Sequence, residues 1–165
     1  MTFDLAVRRM GGKDIDAVLR VEETVFTTPW SRESFETEMA GNDLARYFVA
    51  VVDRQIVGYA GMWVVLDEAH VTNIAVLPSF WGQGIGKKLL TALIDCARSQ
   101  GAVSMTLEVR RSNERAQRLY SHMGFAEGGV RCPRRTLRAN LRLRLEIFDF
   151  AKPKFPFRVS SVIAR

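Results

Sequence analysis

Residues 81–90 read Trp-Gly-Gln-Gly-Ile-Gly-Lys-Lys-Leu-Leu and follow the run Asn73-Ile74-Ala75-Val76-Leu77-Pro78. The order is a short apolar strand, a glycine-rich turn and the start of an amphipathic helix. Such a turn aims consecutive backbone N–H groups, and the positive end of a helix, at one spot. That spot holds a phosphate. Gly82, Gln83, Gly84, Ile85, Gly86 and Lys87 supply the backbone of the expected cradle.

Three phosphate motifs compete for this stretch. A Walker A loop needs a glycine five residues before its Gly-Lys pair and a Ser or Thr after it. Trp81 and Lys88 stand at those positions, so the motif fails twice. A dinucleotide fingerprint spaces its glycines G-x-G-x-x-G, and Gly82, Gly84 and Gly86 are one residue short of that. The third motif is the Arg/Gln-x-x-Gly-x-Gly/Ala loop of the GCN5-related N-acetyltransferases, which this chain resembles. Gly84 and Gly86 match its small positions, and Pro78 its strand-ending proline. Trp81 stands where Arg or Gln is usual. That departure removes a polar side chain from the rim and predicts weakened rather than abolished cofactor binding.

The resemblance runs on through Phe26-Thr27-Thr28-Pro29-Trp30-Ser31, Val64-Val65-Leu66-Asp67-Glu68-Ala69 and Leu107-Glu108-Val109-Arg110. Ser112-Asn113, Ala116, Leu119-Tyr120 and Met123-Gly124-Phe125 complete it, over residues 3–131. These motifs are similar to the RimI-type branch of the family, which acetylates the N-terminal alanine of a small-subunit ribosomal protein. The resemblance implies acetyl-CoA as cosubstrate, no metal, and a central sheet whose parallel strands splay apart. The backbone of Ile74, Ala75 and Val76 would then pair with the pantetheine arm like an added strand.

The same resemblance makes Glu108 the general base for the amine, by way of a partly desolvated carboxylate of raised pKa. It makes Tyr120 the general acid for the departing thiolate, and Asn113 a coenzyme contact. Phe26 and Trp30 become part of the peptide-side wall. Spacing alone allows plainer readings. Glu108 could pair with Arg110 or Arg111, and Asn113 could be a helix cap. Tyr120 falls in a core stripe with Leu119 and Met123, and Trp30 could simply pack.

The elements that must position these residues are legible from periodicity. Strands are expected over 3–9, 46–52, 55–66, 68–76 and 103–109, and helices over 14–26, 32–39, 87–99 and 113–123. Ser31 is an N-cap for the second helix, while Gly101 and Gly124 end the last two. Leu141, Leu143, Leu145 and Ile147 alternate with charged residues, a further strand signal. The predicted fold is α/β: a mixed sheet with an antiparallel N-terminal meander, a parallel pair joined through a helix, and helices on both faces. One domain is expected over 1–150, with a loose basic extension over 151–165.

Apolar content of 47% in 165 residues fits a globular chain with a real core. No run is long enough to span a bilayer, and the N-terminus lacks signal-peptide features. The expected state is a cytoplasmic monomer away from membranes. Cys96, Cys132, His70 and His122 make no metal-ligand spacing, and Cys96 is expected as a buried free thiol. The net charge of +6 is unevenly spread. Residues 131–165 hold ten basic and two acidic residues, a net +8, against 14 basic and 16 acidic elsewhere, a net −2. The family pattern is lost after Arg131. A diverged terminus and a reading-frame change near codon 132 both account for that shift. The basic segment could add a weak RNA or ribosome contact.

Overall fold

The apolar runs within 45–76 form three antiparallel strands: β2 (Ala45–Val52), β3 (Gln55–Val65) and β4 (Glu68–Val76). The computed structural model describes residues 4–127 and 140–147. Expectations for 128–139 and for the extension at 151–165, including Cys132 and any RNA contact there, lie outside the described residues. β1 (Leu5–Arg9) pairs antiparallel with β2 at one edge. Beyond β4 come β5 (Ser104–Arg110), then β7 (Asn140–Glu146) and β6 (Ala126–Glu127), giving the order β1-β2-β3-β4-β5-β7-β6. β7 runs antiparallel to β5, so the alternating segment near residue 141 does supply a strand to the sheet.

The helices are α1 (Ile15–Val25), α2 (Arg32–Gly41), α3 (Ile85–Ser99) and α4 (Glu114–His122). Their ends are chemically marked. The Ser31 hydroxyl accepts from the Ser34 N–H at 3.1 Å, capping α2 as expected. Past α3, Gly101 takes φ +85° and Ala102 N–H reaches back to the Ala97 carbonyl at 3.0 Å. Past α4, Gly124 takes φ +94° and Phe125 N–H reaches the Tyr120 carbonyl at 3.0 Å. Both are Schellman closures that need a left-handed residue.

Strand alternation divides the core between two faces of the sheet. α3 and α4 cover one face, where Leu89, Leu90 and Leu93 meet Ala60, Met62, Met105 and Leu107. α1 and α2 cover the other, where Val18, Val21 and Phe35 meet Tyr47, Val49, Tyr59 and Ala75. On that second face the Tyr47 ring packs against Gly61, its cross-strand partner. A Cβ at Gly61 would overlap it. Gly61→Ala therefore costs about 1–3 kcal/mol by overpacking, read as a lower urea midpoint at unchanged m-value.

Candidate active site

β4 and β5 run parallel but pair only at their starts, through Glu68–Ser104, Ala69–Met105 and His70–Thr106. Past that point they part. β4 continues beside β3 as far as Val76, and β5 beside β7 as far as Arg110. A wedge opens between Val71–Val76 on one side and Leu107–Arg110 on the other. The start of the wedge is marked by a bulge: Gly61 pairs with Asn73 and Met62 with Val71, leaving Thr72 unpaired. A bulge bends its strand and raises the local twist, which turns β4 away from β5.

Ile74, Ala75 and Val76 border this wedge. Leu77 N–H donates to the Val57 carbonyl at 2.8 Å. Antiparallel bonding alternates along a strand, so Ala75 also turns its backbone groups toward β3. Ile74 and Val76 turn theirs toward the open side. The three expected backbone positions thus divide into two that face the wedge and one already used by the sheet.

The glycine turn closes one end of the wedge. Pro78–Phe80 form a single 3-10 turn, then Gly82 (φ +77°) and Gly84 (φ +75°) take left-handed backbone. A Cβ at either would meet nothing within 4 Å, so backbone conformation and not space favours glycine there. Gly86 differs: a Cβ would approach Leu119 Cδ2 to 3.2 Å, so this glycine brings α3 close to α4. Phe80 and Trp81 N–H groups bond within the turn, and Lys88 N–H bonds the Gly84 carbonyl. Among the described residues, the N–H groups of Gly82 through Lys87 have no acceptor. The first turn of α3 carries no acidic side chain. The donor set fits a diphosphate.

Across the wedge, a cavity of about 250 Å³ is lined by His70, Val71, Thr72, Thr106, Leu107, Glu108 and Arg142. Glu108 is exposed, two residues beyond the last β4–β5 pair, and stands directly opposite Arg142 in the β5–β7 register. Among the described residues it makes no ion pair, with Arg110, Arg111 or any other cation.

Tyr120 is placed differently. Its ring packs against Phe125 at 5.9 Å between centroids, within the core under α3 and α4. Burial pushes its phenol up to about 12, so it remains a neutral donor at ordinary pH. Alternation puts Glu108 on the α1–α2 face of β5, opposite to Leu107 and Val109 of the Tyr120 core. The two side chains therefore lie on opposite faces of the sheet.

Asn113 caps α4: its Oδ1 accepts from Ala116 N–H at 3.1 Å. Phe26 and Trp30 sit half-buried against the cluster that includes Ala75 and Leu77, and the Trp30 ring packs tilted on Phe35 at 5.4 Å between centroids. Glu22, 1% exposed, holds this connection. Its carboxylate accepts from the Trp30 N–H at 3.0 Å and from the Tyr59 hydroxyl.

Several wedge residues have no sequence signal of their own. His70 Nδ1 is 2.7 Å from Thr106 Oγ1 across the last parallel pair. The Tyr47 hydroxyl lies 3.3 Å from Thr72 Oγ1 and donates to Glu38 at 3.4 Å, and the Trp63 indole N–H donates to the same carboxylate. Their proximity depends on the bulge and on cross-strand register, which periodicity does not report. Cys96 is buried and free, as its place in the helix stripe predicts. Among the described residues no helix is long and apolar enough to cross a membrane.

A mixed sheet that parts between two parallel strands, beside a cradle of open N–H groups, is the architecture of an acyl-group transferase. The profile of the Acetyltransferase (GNAT) family matches residues 15–125, and the chain belongs to that family. A Bacillus subtilis (strain 168) relative is 41% identical over 131 residues, 79% of this chain and 87% of that one. The ribosomal protein bS18-alanine N-acetyltransferase of Salmonella typhimurium is 39% identical over 120 residues, 72% of this chain and 78% of that one. The crystal structure of the ribosomal-protein-S18-alanine N-acetyltransferase from Escherichia coli superposes with a TM-score of 0.76 at 30% identity. That match covers 92% of this chain and 99% of the other.

Proposed function

We propose that this acetyltransferase moves the acetyl group of acetyl-CoA to the N-terminal α-amine of a small-subunit ribosomal protein that begins with alanine. The observation that carries the reading is the end of β4–β5 pairing at His70–Thr106, with a phosphate cradle at one end of the opening and a carboxylate on its far strand. Relatives at 39–41% identity, one of them acting on bS18 alanine, support the acceptor. A ribosomal substrate also fits a cytoplasmic location.

Acetyl-CoA supplies an activated thioester. The backbone of Gly82 to Lys87 binds its pyrophosphate through N–H donors, with Asn113 at the start of α4 as a further coenzyme contact. The outward backbone groups of Ile74 and the Val76 N–H align its pantetheine, the Val76 carbonyl being held by the Trp81 indole. Phe26 and Trp30, with Trp63, wall the acceptor side. An α-amine has a pKa of about 8, so a base is needed near neutrality. Glu108 takes the amine proton on its carboxylate, directly or through a water, and closure of the peptide over the exposed side chain desolvates it. Tyr120 gives its phenolic proton to the leaving sulfur from the other face. No metal is required by these steps.

The test is a kinetic screen with acetyl-CoA against alanine-starting peptides, polyamines and aminoglycosides. We expect kcat/KM for the alanine peptide to exceed the others by about tenfold or more, a difference of ~1.4 kcal/mol. Equal rates would refute the acceptor. Absence of thermal stabilisation by saturating acetyl-CoA would refute the enzyme reading itself.

Arg142 favours a second reading, that of a weakened copy. Arg142 lines the same cavity as Glu108, and its positive charge opposes approach of an ammonium group. It lies in the segment past Arg131 where the family pattern is lost.

A further inference from the structure

Position 81 departs from the loop pattern, and two long-range contacts fix the residue that stands there. The indole N–H of Trp81 donates to the Val76 carbonyl at 2.7 Å, which fixes the ring at the end of β4. The Arg115 guanidinium lies over the ring, 3.4 Å from its centroid. Arg115 is in the first turn of α4. One turn further on is Leu119, the side chain against which Gly86 packs. Residues four apart share a helix face, so the face of α4 that carries Arg115 is turned toward the start of α3. That is where the open N–H groups converge.

A guanidinium stacked on an aromatic ring uses its flat face and leaves its edge donors free. Among the described residues, Arg115 has no carboxylate partner. The cradle itself is made of neutral amides.

We propose that Arg115, held in place by Trp81, is a ligand of the coenzyme's pyrophosphate and supplies the rim contact that position 81 no longer makes. The inference rests on the acetyl-CoA reading above. It replaces the simpler expectation that Trp81 only weakens the site. Trp81 acts as a positioning residue, tied to Val76, and Arg115 as the binding one.

The test measures binding of acetyl-CoA, acetyl-dephospho-CoA and S-acetylpantetheine to the full chain and to Arg115→Ala, at two salt concentrations. A charge-assisted contact predicts an increase in Kd of about tenfold or more for the first two ligands. Acetylpantetheine, which has no diphosphate, should bind both proteins equally. The salt dependence of acetyl-CoA binding should be shallower in the variant. Arg115→Gln, which keeps the helix and a polar tip, should repeat the pattern if the alanine variant folds poorly.

Three results would overturn the proposal: affinities within twofold of the wild type, an equal loss on acetylpantetheine, or a loss confined to the ligand that has the 3′-phosphate. Failure of the wild type to bind acetyl-CoA would instead overturn the function proposed above.

Discussion

Glu108→Gln should lower kcat on an alanine-starting peptide by about 10²- to 10³-fold, the usual scale for removing a general base. Acetyl-CoA affinity should stay within about twofold, because the carboxylate is across the wedge from the cradle. Glutamine keeps the size and polarity of the side chain but cannot accept the amine proton. The loss should narrow as pH rises past the α-amine pKa of about 8, where more of the acceptor arrives deprotonated. The exposed side chain and its lack of an ion pair among the described residues argue that the fold tolerates the change. A variant with wild-type kcat at pH 7 would reduce Glu108 to a solvated strand end.

Tyr120→Phe should lower kcat by about 10²-fold, with KM for the peptide little changed. The hydroxyl is the only group removed, and the ring contact with Phe125 remains. A stability readout accompanies the kinetic one. Burial holds the Tyr120 proton to about pH 12 in the folded chain, against about 10 for an unfolded tyrosine. Between those values the unfolded chain has released the proton and the folded chain has not, so stability falls as pH rises. The contribution is fully present below about pH 10 and declines by roughly 1.4 kcal/mol per pH unit up to the folded pKa. Phenylalanine removes that slope. Tyr47 and Tyr59, also raised by burial, retain theirs. Urea melts at pH 9 and 11 separate the two proteins, while unchanged turnover would assign Tyr120 to the core alone.

Much of this molecule is readable from neighbours in the chain. Ser31, Gly101 and Gly124 stop or start helices through bonds that span three to five residues. Strand 68–76 and the turn at 82–84 follow from an apolar run and glycine spacing. Departures are small and local: α3 starts at Ile85, two residues before the periodic pattern becomes clear, because Gly84 in its left-handed conformation is the last turn residue. Leu141, Leu143, Leu145 and Ile147 give a strand signal whatever the origin of the segment, and the strand spans Asn140–Glu146. The pairing of that strand with β5 is a tertiary fact.

The chain by itself determined the element order, the glycine turn before α3 and the acetyltransferase resemblance, since each rests on residue types at short, ordered spacing. Tertiary structure alone decided where β4 and β5 part, because His70 and Thr106 meet across 36 residues of sequence. It also set Glu108 and Tyr120 on opposite faces of the sheet and bonded the buried Glu22 to the Trp30 N–H. Finally, it laid Arg115 on Trp81, 34 positions away. Contacts of that range are fixed by register, bulges and the close approach of helices, and these depend on how whole surfaces pack and not on any local run of residues.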